Sequence, residues 1–137
     1  MRSVRSRMAV VALIGAAAAL AGIPAVKAQP APSAKRTVLL KQDMTVPGRE
    51  VVMASVELPP GSTEGRHTHF AEVYAFVQEG TITLAVEGQP TRTLSAGEVF
   101  TIAPGQVHEG SNKGTVTAKL SVVFAAEKGK PLATPVQ

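Results

Sequence analysis

The chain contains no cysteine and no tryptophan, and its aromatic side chains amount to one tyrosine and four phenylalanines. Without cysteine there can be no disulfide, iron–sulfur cluster, thiolate zinc site, cysteine nucleophile or cysteine-linked lipid anchor. Stability has to come from the hydrophobic core. The scarcity of aromatics also removes the stacking platforms on which single-stranded nucleic acids are bound. A formal charge of +4 does not restore that reading, because Arg2, Arg5, Arg7 and Lys27 all lie in the first 28 residues. Beyond them ten basic residues face ten acidic ones with no basic stripe, so no nucleic-acid partner is expected.

Long hydrophobic runs are limited to one, Met8 to Ile23, which follows the three arginines and precedes the small-residue segment Val26-Lys27-Ala28. This is the pattern of a secretory signal peptide over residues 1–28, cleaved after Ala28 to leave Gln29 at the N-terminus. The run is shorter than the ~20 residues of a membrane span, so no stable membrane anchor is expected after cleavage. Ser6 separates Arg5 from Arg7, which does not match a twin-arginine signal. A periplasmic or secreted location follows as the expectation.

The Pro- and Ala-rich stretch to residue 36 reads as a flexible leader, residues 37–126 as one domain, and the polar, proline-containing residues 127–137 as a frayed tail. Within the domain, short alternating or apolar runs are each closed by turn residues: Pro47-Gly48, Pro59-Pro60-Gly61, Glu79-Gly80, Gly88-Gln89-Pro90, Ala96-Gly97, Pro104-Gly105 and Asn112-Lys113-Gly114. Such spacing without a helical stretch predicts an all-β sandwich or barrel. Thr81–Glu87 is the clearest strand, with Ile82, Leu84 and Val86 on one face, and Leu120, Val122 and Phe124 are expected in the core.

Only three histidines occur, and all three suit a single metal ion. His67 and His69 are alternate residues of one extended segment and so share a face, about 7 Å apart along the chain. His108 lies on a later segment. Imidazole is the commonest side-chain ligand for transition metals.

Two segments resemble the paired motifs of the cupin superfamily. In the first, Gly61 is followed by His67-Thr68-His69, then Glu72, with Gly80 closing the segment; in the second, Gly97 leads through Pro104-Gly105 to His108 and Asn112. The resemblance implies a single antiparallel β-barrel or jelly roll with a mononuclear metal site at His67, His69 and His108, and Glu72 as a fourth ligand. It also implies one divalent transition metal ion (iron, manganese, nickel, copper or zinc), a small-molecule ligand or substrate, and a homodimer.

The chain departs from the family pattern at two points. Ala103 stands where the motif proline is usual, with Pro104 one residue later. Glu72 lies three residues after His69 instead of four, and odd spacing on a straight strand turns its carboxylate away from the metal. A bulge at Phe70-Ala71 would restore the aim. Otherwise the site is three histidines plus water. Glu64 and Glu79 read as a solvated loop residue and a strand end, with substitution for Glu72 as the lesser alternative. Asn112 is read as tying down the turn after the His108 strand.

Strand parity nominates Tyr74, Phe76, Phe100 and Gln106 as pocket residues, and places no arginine or lysine inside. Two functions then compete. One is a metalloenzyme of oxygenase, decarboxylase or isomerase type, with Glu72 as a base if it is free of the metal. The other is a non-catalytic small-molecule-binding or sensing module. A third reading, with the histidines as ordinary core members, predicts no bound metal.

Overall fold

In the computed structural model, which describes residues 29–137, ten strands follow one another and no helix intervenes. They are β1 (Lys35–Asp43), β2 (Arg49–Leu58), β3 (His67–Thr68), β4 (Ala71–Glu79) and β5 (Thr81–Val86), then β6 (Arg92–Ser95), β7 (Val99–Ile102), β8 (His108–Ser111), β9 (Ala118–Glu127) and β10 (Thr134–Pro135). One antiparallel sheet has the order β1-β2-β9-β4-β7 and the other β10-β3-β8-β5-β6. Among the described residues no strand hydrogen-bonds across from one sheet to the other. The expected barrel is therefore an open jelly-roll sandwich, still all-β and antiparallel.

Period-two alternation builds the core. Val52, Ala54, Val56 and Leu58 of β2, Val73, Ala75 and Val77 of β4, and Leu120, Val122 and Phe124 of β9 are buried, and the residues between them face outward. From the other sheet Ile82, Leu84 and Val86 close the sandwich. Alanines at 54, 71, 75, 118 and 126 are all buried, which lets the two layers approach where larger side chains would separate them. At Gly80, the turn between β4 and β5, φ is +72° and a Cβ would meet the Ala118 Cα at 3.0 Å. Only glycine meets both demands there.

Two expectations about the ends of the domain change. β1 begins at Lys35, inside the stretch read as leader, and pairs with β2 along its length. The C-terminal segment is not frayed. Thr134 and Pro135 pair with Thr68 and His67, and the Val136 N–H donates to the Arg66 carbonyl at 2.9 Å. The signal-peptide residues lie outside the described part of the chain.

Candidate metal centre

His67 and His108 meet because β3 and β8 are neighbours, and the two residues are direct cross-strand partners. Their ring centroids are 4.3 Å apart, and the His69 ring lies 4.7 Å from the first and 5.0 Å from the second. All three side chains are buried. The ligating nitrogens lie within 4.8 Å of one another.

The hydrogen bonds fix which nitrogen is available. His67 Nδ1 donates to the Gly65 carbonyl at 2.7 Å, His108 Nδ1 to the Gln106 carbonyl at 2.9 Å, and His69 Nδ1 to the Leu132 carbonyl at 2.6 Å. A carbonyl only accepts, so each Nδ1 carries a hydrogen, and in the neutral ring the lone pair is therefore on Nε2. Metal-bound histidines are oriented in this way by their second nitrogen. Burial holds the His69 ring well below its ordinary value, at about 4, and lowers His108 in the same direction, each partly offset by its carbonyl hydrogen bond. Both rings are thus neutral, with lone pairs free, at neutral pH. Three such nitrogens around one point fit a first-row divalent cation.

The expected carboxylate is not there. Glu72 is exposed on the outer face of β4, and its carboxylate accepts the Tyr74 hydroxyl at 2.6 Å, which raises the tyrosine pKa. Ala71 points inward, so Glu72 one residue on must point out. β4 does carry a register shift, but at Val77/Glu79, too late to re-aim Glu72. The same parity places Tyr74 and Phe76 outside, each more than two-fifths exposed. Both are corrected from pocket to surface. Phe100 does reach the cavity wall. Gln106 acts through its backbone carbonyl on His108, and its side chain accepts the Ala103 N–H within the turn at 3.2 Å.

Glu64, read as a solvated loop residue, is the carboxylate that lines the histidine cavity. Its N–H donates to the Gly110 carbonyl at 2.9 Å, and a Cβ on residue 110 would come within 2.6 Å of Glu64 Oε2. The glycine leaves the room that the carboxyl group fills. Burial raises the Glu64 pKa, with His67 and Arg36 pulling it back.

Arg36 of β1 also lines the cavity, which sequence parity did not anticipate. Val56, Val73, Leu84, Leu120 and Phe124 supply much of the remaining wall, and the cavity itself is small, about 30 Å³, before it opens to solvent. Asn112 sits beneath the loop that delivers Glu64 and His67. Its side chain donates to the Leu58 and Val116 carbonyls at 2.7 Å each and accepts the Gly114 N–H at 2.8 Å.

An open jelly roll that gathers three histidines at the Gly61–Gly80 and Gly97–Asn112 motifs defines the class. The family described as "Cupin domain" matches residues 54–124, just over half of the chain, and the chain belongs to it. Among solved structures, a double-stranded β-helix protein from Klebsiella pneumoniae superposes with a TM-score of 0.62 at 23% identity, over 77% of this chain and 90% of that one. An oxalate oxidase in complex with the substrate analogue glycolate gives a TM-score of 0.57 at 29% identity, over 63% of this chain and 46% of that one. A DMSP lyase from Ruegeria pomeroyi gives 0.58 at 21% identity, over 63% and 43%. The chain thus spans less than half the length of these two enzymes. No curated protein sequence matches it.

Proposed function

We propose that this is an exported metalloprotein in which His67, His69 and His108 hold one divalent transition metal ion, acting on a small molecule as an oxygenase-, decarboxylase- or isomerase-type enzyme. The observation that carries this reading is the set of three lone-pair nitrogens, each fixed by a backbone carbonyl, turned toward one point in a buried cavity. When bound, the ion would supply Lewis-acid polarisation of an oxygen-bearing substrate or a site for dioxygen. The chain supplies the rest. Carbonyls of Gly65, Gln106 and Leu132 hold the rings, the apolar wall excludes water, and Glu64 stands ready to hold a proton beside the bound molecule. The likeness to oxalate oxidase supports a redox reaction on a small polar substrate.

A non-catalytic binding module is the second reading, favoured by a cavity wall that offers Glu64 as its one carboxylate. One preparation separates the two. Protein recovered from its native compartment is expected to begin at Gln29, to carry about one equivalent of metal by elemental analysis, and to turn over at least one of a panel of dicarboxylates, flavonoids and thiols. Metal without turnover, but with a ligand-dependent rise in Tm, would establish the binding module instead. Absence of metal would overturn both metal readings, and an intact residue 1 would overturn export.

A further inference from the structure

The geometry points to a small carboxylate as the ligand of this site, with the Arg36 guanidinium as the group that recognises it. The inference rests on the metal reading above and names the substrate class for the same cavity. Arg36 pairs with the inward-facing Val56 and is therefore on the inner face of its sheet, on a solvent-exposed edge strand, with 30% of its side chain open to solvent. Its guanidinium carbon stands 5.6 Å from the centre of the Phe124 ring, and that ring lies 5.1 Å from His69. One aromatic side chain thus forms a shared floor under the cation and the histidines.

The guanidinium is placed but not saturated. Glu64 Oε1 is 3.9 Å from Arg36 Nη2, close enough to hold the charge in position and too far for a hydrogen bond. The planar N–H fork is free to take two oxygens of a carboxylate side by side, the geometry that suits arginine better than lysine.

Charge balance leads to the same class of ligand. An ionised Glu64 offsets Arg36, a protonated one leaves the site more positive, and histidines bind metal in their neutral form, so a divalent ion here keeps a charge of at least about +2 among mainly apolar walls. A neutral guest leaves that charge uncompensated beside mainly apolar walls. An anion relieves it. Arg36 is the one cationic side chain on the cavity wall among the described residues, so the anion's orientation is set by it. The apolar surfaces of Val73, Leu84 and Phe100 suit a short hydrocarbon portion and few further polar groups.

The test is calorimetric titration of the whole protein, metal-free and manganese-loaded, with acetate, propionate and malonate against the corresponding neutral amides. Each acid should bind at least tenfold more tightly than its amide in both states. Arg36→Gln should reduce carboxylate affinity about ten- to hundredfold, leaving amide and manganese affinities unchanged. Arg36→Lys should recover only part, because it restores charge without the fork. Equal binding of acid and amide, or unchanged carboxylate affinity in both Arg36 variants, would overturn the inference. Failure of the wild-type protein to bind manganese would overturn the metal reading instead, and the metal-free titration would still decide the role of Arg36.

Discussion

Each histidine ring uses one nitrogen to hold its orientation and leaves the other free within a cluster that could hold a metal ion. Replacing His67, His69 or His108 by alanine should therefore weaken metal binding by at least a hundredfold, measured by competition with a chelating dye. Glu72→Ala should leave metal affinity unchanged, because that carboxylate is on the outer face with Tyr74. Its loss should show instead as a fall in the Tyr74 pKa. Acidity gives a second test at this scale. The folded His69 resists protonation down to about 4, whereas the unfolded chain takes up that proton near 6.5. Between those values the unfolded state binds more protons, so metal-free stability is full above 6.5 and falls as pH drops toward 4. Glu64, shifted upward, works in the opposite direction, so the histidine part is isolated by comparison. Wild-type protein should lose on the order of 1–3 kcal/mol more than His69→Gln between pH 7 and 4.5, followed by thermal melting at each pH.

At the scale of the element, β10 and the segment leading to it are part of the candidate metal centre. The Leu132 carbonyl that orients His69 comes from 63 residues away in the chain, whereas the carbonyls holding His67 and His108 are two residues distant. Pairing of Thr134–Pro135 with β3 locks that segment in place. Deleting residues 131–137 should leave β9 and β8, the central strands of the two sheets, intact but weaken metal binding about 10–100-fold, the usual cost of losing the group that orients a ligand. Restoring the segment as a longer C-terminus with Leu132 in register should return the affinity. The two His-containing motifs, the all-β class and the inward faces of β5 and β9 were legible in the sequence, because period-two alternation and turn residues report on local geometry. Tyr74 and Phe76 were not, since alternation gives two faces without saying which one the core takes. Ala71, Val73 and Ala75 take the inner face, where small side chains let the two layers approach, and Tyr74 and Phe76 are left on the outer one.

For the whole molecule, β1 is an edge strand exposed along all nine residues, with Val38, Leu39 and Leu40 between 41% and 62% exposed. An open apolar edge of this kind invites pairing with another strand. Antiparallel pairing of β1 with its own copy would cover it symmetrically, consistent with the homodimer that the family resemblance implies. Sedimentation velocity should give a dimer for the native chain and a monomer when Leu39 and Leu40 are both changed to lysine. A monomeric native chain would remove the proposal.

Short-range patterns alone determined the strand-rich architecture, the absence of thiol chemistry and the identity of three metal-binding candidates. These depend on residue type and near-neighbour spacing, which survive in one dimension. Only the folded arrangement decided which carboxylate faces the histidines, that a cation joins them, and that the C-terminus holds His69. Glu64, Arg36 and Leu132 reach the site from the loop before β3, from β1 and from the tail. Convergence of segments so distant along the chain is set by sheet pairing and by the volume a Gly110 leaves open, quantities that no local pattern contains.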